Sequence, residues 1–350
     1  MSEMSYINYQ PMVEAIRGTI VESIHMGALA VSDTNGNLFA SYGDPHTVTF
    51  LRSSAKPFQA LPFIEMDGAE TFGLTDREVA VLCASHAGTD EHAAVIRGIQ
   101  QKIGVTEKDL LCGIHPPGDE ATAKAMILRG EEPTAVRHNC SGKHTGMLAH
   151  ALLRHLSIED YINPQHPIQK TILQGFSEMC SIPVEQIVLG TDGCSAPVFA
   201  VPLHNAAQGY ARLCDPVGLT AQRGTACRRI THAMTSNPDM IAGPGQFDTV
   251  IMQVGAGMIV SKGGAEGYQA LGLLPGACGS GSPALGITFK IADGDNSGRA
   301  RAVASVEILR QLGALAEEQM MALEAFGTRP LRNWRKLPVG EIRPCFILQR

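Results

Sequence analysis

The order in which hydrophobic periodicities follow one another most narrows the folds open to this chain. Two short apolar runs, Gly27–Val31 and Leu38–Ala40, flank Asp33-Thr34-Asn35-Gly36-Asn37. An Asn-Gly step between such runs predicts a hairpin, because both residues tolerate positive φ. From about Ala55 to Leu213 the spacing turns helical. Val95, Ile99 and Ile103 share a face, as do Ile168, Ile172, Phe176 and Met179, and Met147, Leu148, Ala151, Leu152 and Leu156 form a third. Segments rich in Pro and Gly, such as His115–Gly118, separate these helices. Strand-like runs return at Thr249–Val254, Gly257–Val260 and Ile287–Ile291. A last helix carries Val303, Val306, Leu309, Leu312 and Leu315, with Asp295, Asn296 or Ser297 available to cap it.

Strands, a helical block, strands and a helix are not the regular alternation that builds a parallel doubly wound sheet. The order predicts an α/β protein of the α+β kind. Its antiparallel sheet is made from both chain ends and flanked by helices, and its second lobe is mainly helical. The expected division is a sheet lobe over roughly 12–54 plus 215–350 and a helical lobe over 55–214, within one compact domain.

Composition limits function. Hydrophobic residues at 44% and charged residues at 18% supply a core and argue against disorder. A net charge of -6 offers no general basic field for nucleic acid or an anionic membrane. The apolar runs fall far short of a bilayer span, and Met1–Pro11 lacks the basic start and apolar core of a secretory signal, so the expected location is cytoplasmic. Nine cysteines, an odd number with no Cys-x-x-Cys pair, do not suggest a disulfide framework. At least six are expected to be buried reduced thiols.

Five segments concentrate reactive side chains. Ser53-Ser54-Ala55-Lys56 holds Ser-x-x-Lys, whose spacing puts hydroxyl and amine on one face of a helical turn. A lysine relieved of its proton by burial or a neighbouring cation can then activate the serine. Ser85 and His86 follow an apolar run, but adjacent side chains point apart, so they are not expected to pair. His138-Asn139-Cys140-Ser141-Gly142-Lys143-His144 is not a phosphate loop, because Arg137 and His144 stand where that motif needs Gly and Ser or Thr. Its Cys140 and histidines suit zinc instead. Gly190–Pro197 adds Asp192 and Cys194 in a tight polar turn, and Lys262 precedes Gly263-Gly264 at a strand end. Those glycines would let a substrate approach the backbone closely.

Together and in order, Arg52–Pro57, Ala84–His86, His138–His144, Gly190–Cys194 and Lys262–Gly267 resemble the Rhizobium etli-type asparaginases, also called thermolabile or asparaginase II-like. The resemblance runs over most of the chain. It implies a fold like that of serine β-lactamases and penicillin-binding proteins, and hydrolysis of L-asparagine to L-aspartate and ammonia. It implies two Ser–Lys tandems, Ser53 with Lys56 and Ser85 with Lys262. It also implies one zinc ion per chain on Cys140, Lys143 and Cys194, a substrate site lined by Arg52, Asp192 and His144, and a homodimer. A zinc-bound lysine must be neutral. In that reading Asp192 takes the ammonium of asparagine and Arg52 its carboxylate. Two other readings stay open on sequence: a β-lactam-recognising serine acyl-transferase, suggested by Ser-x-x-Lys, and a non-catalytic zinc-binding protein.

Overall fold

The computed structural model describes residues 8–296 and 298–350. The larger sheet is antiparallel and draws on both chain ends. Its strands are β1 (Gln10–Arg17), β2 (Ile20–Ser32) and β3 (Leu38–Tyr42) from one end. Separated from them in sequence are the short β4 (Val48–Phe50), β5 (Val188–Thr191) and β6 (Pro197–Pro202), and then come β7 (Ile259–Gly263), β8 (Tyr268–Leu273), β9 (Leu285–Ile291), β10 (Arg329–Arg332) and β11 (Pro338–Pro344). The order is β10-β11-β1-β2-β9-β8-β7, with β3 also paired to β2. β4, β6 and β5 form a separate three-stranded sheet.

Alternation along the strands separates the faces of the larger sheet. Leu29, Val31, Leu271, Leu285, Ile287 and Phe289 pack with Val303 and Leu309 of helix Arg299–Leu312 in one core cluster. Ala28, Ala30 and Ala270 join the larger cluster on the opposite face. There helix Leu203–Cys214 lies against β9, β2 and β8. Small residues bring it close. A Cβ on Gly286 would fall 1.8 Å from the Ala207 carbonyl oxygen, and one on Gly272 2.4 Å from Cys214 Sγ. Thr288 Oγ1 donates to the Leu203 carbonyl at 2.7 Å across the same contact. Gly286→Val is therefore expected to destabilise the protein by about 3 kcal/mol or more, since helix and strand backbones must part. A chemical-denaturation midpoint unchanged from the parent would contradict the packing.

Helix Lys56–Glu65 is the hub of the other lobe. Every residue from Lys56 to Ile64 is buried, as befits a helix enclosed on all sides. It packs against helices Ser141–Leu153, Pro167–Met179 and Ala221–Ser236. Gly142 lets helix Ser141–Leu153 approach the end of helix Asp76–Leu82, for a Cβ there would lie 2.2 Å from the Val81 carbonyl oxygen. That contact sets the Cys83–Ser85 loop beside the Cys140 turn.

Several local expectations need correction. Thr249–Val254 is helical, within Phe247–Val254. Its Val-Ile-Met content suits a strand, but burial of Ile251 and Met252 and an Asp248 in the first turn carry it into a helix. The expected helical block contains β5 and β6, and the Gly190–Pro197 turn is the hairpin between them. Helix Ala221–Ser236 packs with the helical lobe and helix Leu203–Cys214 covers the sheet, so the lobe boundary does not fall at residue 215. The β2–β3 hairpin forms, yet only Gly36 of its Asn-Gly pair has positive φ, and Asp33 Oδ1 accepts the N–H groups of Asn35 and Asn37. Asp295 caps helix Arg299–Leu312 by accepting from Ala300 and Arg301, while Ser297 lies outside the described residues, and the expected last helix is followed by a further one, Glu317–Ala322.

All nine cysteines are free, and seven are buried. Among the described residues no helix is long and apolar enough to cross a membrane.

Candidate active site

The site is built where strand β7, at the edge of the larger sheet, meets the helical lobe. Leu51 fixes the approach: its N–H donates to Phe199 of β6, and Arg52 then takes φ +51. A left-handed non-glycine residue costs of order 1–3 kcal/mol and persists only where its surroundings hold it. Here the Arg52 Nε and Nη2 atoms donate to Asp192 Oδ1 at 2.8 and 2.7 Å. The chain then passes through a short turn, Arg52–Ala55, into the hub helix.

Strand alternation turns Lys262 toward the helical lobe and Ser261 the other way. Ser54 Oγ donates to the Lys262 carbonyl at 2.6 Å and ties turn to strand. The two glycines after Lys262 serve this junction. A Cβ on Gly264 would lie 2.4 Å from the Leu51 carbonyl oxygen, and one on Gly263 2.8 Å from Arg301 Nη1. Protein atoms stand where those Cβ atoms would fall, and the backbone of both glycines lines the cleft.

Ser53, Ser85, Asn139 and Lys262 line one cleft of about 490 Å³. The Lys56 contact crosses the sequence-predicted tandems, and among the described residues Lys262 bonds neither serine. Lys56 Nζ donates to Ser85 Oγ at 2.8 Å and to the carbonyls of Ala84 and Asn139 at 2.5 and 3.3 Å. Lys262 Nζ donates to the Gly263 carbonyl at 2.8 Å and stands 3.9 Å from Asp248 Oδ2. Among the described residues neither Ser53–Lys56 nor Ser85–Lys262 is a direct hydrogen bond. Ser85 and His86 point apart as expected: His86 Nε2 lies 3.0 Å from Ser141 Oγ. Ser141 spends its own proton on the Val136 carbonyl, and the Gly88 N–H donates to His86 Nδ1, so His86 is the neutral Nε2–H tautomer.

Burial brings the Lys262 amine down to about 7, opposed by Asp248 and reinforced by the cations Lys56 and Arg301. Asp248 is itself held by Ser261 Oγ, the Gly263 N–H and Gln269 Nε2. Asp248, Arg301 and Asn139 are site residues that carry no role in the sequence reading. Only Asn139 stood inside a conspicuous motif.

The expected metal ligands converge. Cys140, Lys143 and Cys194 are all buried, and Lys143 Nζ lies 2.9 Å from Cys194 Sγ. A hydrogen bond from the Cys194 thiol, together with Lys56 and Lys143, holds Cys140 well below the usual thiol range, while Cys194 is raised by that same bond. We read one shared thiolate beside a Lys143 ammonium that the sulfurs keep protonated. Two sulfurs and an amine nitrogen suit a soft divalent ion once the remaining protons leave. Among the described residues no group of three or more His, Cys, Asp or Glu forms a metal cluster.

Arg52 and Asp192 are together, bound to one another. His144 is not at the cleft: it is fully buried, with Nδ1 2.7 Å from Tyr161 Oη. Tyr161 Oη accepts the Leu111 N–H, which leaves its proton for His144. Among the described residues the His144 Nε2 atom is buried without a hydrogen-bond partner, and His144 is not among the walls of the cleft.

The chain belongs to the L-asparaginase II family, whose profile matches residues 13–344. It is an amidohydrolase. No curated protein matches it. Among solved structures it is similar to a Bacillus glutaminase, 10% identical with a TM-score of 0.38, over 81% of this chain and 90% of that one. A β-lactamase from Mycobacterium bovis is 12% identical with a TM-score of 0.40, over 82% and 95% of the two chains. A probable glutaminase from Bacillus subtilis, complexed with 6-diazo-5-oxo-L-norleucine, is 10% identical with a TM-score of 0.37, over 83% and 84%.

Proposed function

We propose that this amidohydrolase cleaves L-asparagine to L-aspartate and ammonia through a serine ester. The observation that carries the reading is Lys56, bonded to Ser85 in the cleft that Ser53 also lines. As Ser53 attacks the side-chain amide carbon, Lys56 gives one of its protons up to Ser85 and takes the Ser53 proton in its place. Ser85 gives its own proton to the departing nitrogen and keeps the one from Lys56, so the C–N bond breaks with ammonia leaving neutral. Backbone amides beside the nucleophile hold the oxyanion, each worth about 3 kcal/mol where such donors have been tested. Water then hydrolyses the aspartyl ester, with the neutral Lys262 amine as its base. An asparagine zwitterion carries charges complementary to Asp192 and Arg52, so its ammonium and carboxylate engage the two side chains in turn. One methylene separates asparagine from glutamine, a difference worth about 1–3 kcal/mol in a pocket.

The Lys262 role has a sign. A base must be neutral, so turnover is expected to rise as pH passes through about 7, where its amine loses its proton. Asp248 favours the ammonium, so Asp248→Asn should move that limb to lower pH. A limb that stays put or moves upward in the pH–rate profile contradicts the assignment.

Cys140, Cys194 and Lys143 would hold one zinc ion. Bound there it would supply Lewis acidity, reduced by the thiolates, and would pin the Cys140 turn to the Cys194 turn beside Asp192. Cys140→Ser and Cys194→Ser are expected to lower zinc content, read by elemental analysis, and to raise KM more than they lower kcat. Loss of kcat at unchanged KM would reverse that weighting. A cytoplasmic homodimer belongs to the same reading. The whole is tested by ammonia release from L-asparagine and L-glutamine, and silence on both sinks it.

A further inference from the structure

The cleft beside the serines is far larger than the reaction just described requires. Ammonia is about the size of a water molecule, which occupies roughly 30 Å³. The cleft measures about 490 Å³ and runs from Ser53 and Ser85 past Lys262 to Gln246, Arg301 and Phe326. Arg52 and Asp192, which hold the amino-acid end of asparagine in the proposed function, are not among its walls. With the acyl part gripped there and its carbonyl at the serines, the leaving nitrogen faces this cleft.

The charged residues on its walls are the carboxylate Asp248 and the cation Arg301, beside the Lys262 amine that serves as a neutral base. Asp248 already accepts from Ser261, Gly263 and Gln269. Arg301 Nη1 is occupied by the carbonyls of Gly264 and Tyr268. Among the described residues no carboxylate pairs with the Arg301 guanidinium, whose remaining N–H groups make no hydrogen bond. A half-buried arginine fixed by backbone carbonyls, with spare donors and no carboxylate bonded to it, is built to receive a planar anion in bidentate fashion. Phe247 and Phe326, with ring centroids 5.3 Å apart, add an apolar wall.

We propose that this cleft is a leaving-group subsite for amines bearing a carboxylate, so that the enzyme also cleaves β-aspartyl amides of amino acids. The inference rests on the proposed function. Ser53 Oγ bonds to the β-carbonyl carbon and the C–N bond breaks. The amino acid leaves with the proton that Ser85 supplies, and water returns the ester to aspartate. Arg301 binds the carboxylate of the departing amino acid and takes no part in the chemistry.

The test compares L-asparagine, β-aspartylglycine and β-aspartylglycinamide, which differs from the second only in lacking the carboxylate. The native enzyme is expected to release glycine from β-aspartylglycine, with kcat/KM about tenfold or more above that for the glycinamide. In Arg301→Gln that ratio should fall to near one, and Arg301→Lys should restore part of it. Because the readout is a ratio within one protein, partial misfolding does not imitate it. Ammonia from asparagine without glycine from β-aspartylglycine overturns the subsite alone, as does a ratio that survives in Arg301→Gln. Glycine release without ammonia release would keep the subsite and remove asparagine as substrate. Neither product would remove both.

Discussion

Replacing Ser53 by alanine is expected to lower turnover of asparagine by roughly 10⁴-fold or more, with the fold intact. Nucleophiles that act as a unit with their base show losses of this order, because the remaining groups have nothing to activate. Ser53 sits half-exposed on the cleft, in a turn whose geometry comes from Arg52, Ser54 and Gly264 rather than from its own hydroxyl. The alanine variant should therefore melt with the parent. Ser85→Ala removes the donor to the leaving nitrogen but leaves the attacking oxygen, and a loss of about 10²–10⁴-fold is expected. Steady-state kinetics on both variants decide the assignment. A larger loss in Ser85→Ala than in Ser53→Ala would make Ser85 the nucleophile, with Lys56 at 2.8 Å as its base.

Lys56→Met should be nearly as damaging to turnover, by about 10³-fold or more, because one amine serves both serines. It is fully buried at the start of the hub helix and donates to two backbone carbonyls besides Ser85. Methionine keeps most of the volume and removes the amine. The Ala84 and Asn139 carbonyls then lose a donor, at about 1–3 kcal/mol each if left dry. Removing a buried cation offsets part of that. The expected result is a modestly lower melting temperature with activity all but gone. Half-maximal activity in a folded Lys56→Met protein would remove Lys56 from the proton path.

The sheet from both chain ends was legible because the switch of period, from strand-like to helical and back, survives in the residues themselves. Helices Asp90–Ile103, Ser141–Leu153 and Pro167–Met179 fall where Val95, Met147 and Ile168 begin their repeats. Segments that tertiary contacts decide were not legible. Thr249–Val254 is too short and too uniformly apolar for periodicity to separate strand from helix. Pro197–Pro202 is bracketed by prolines, and Arg329–Arg332 contains one, both signals that demote a strand.

At the site, residue types in compact motifs were visible, and their pairings were not. Ser-x-x-Lys suggested that Lys56 belongs to Ser53. In the fold it reaches Ser85, carried to it by the contact of Gly142 with Val81. Arg301 lies on a helix whose sequence shows only an ordinary amphipathic pattern, and Asp248 lies one residue before the misread segment, in the first turn of the helix that it forms. Neither has a local signature, because their importance comes from strand β7 crossing between them.

The most direct test of the account is peptide mapping of enzyme quenched by acid during turnover of L-asparagine. An aspartyl ester on the peptide that carries Ser53, absent from Ser53→Ala, is the predicted result. An ester on Ser85 instead, or ammonia release with no ester on either serine, would contradict it.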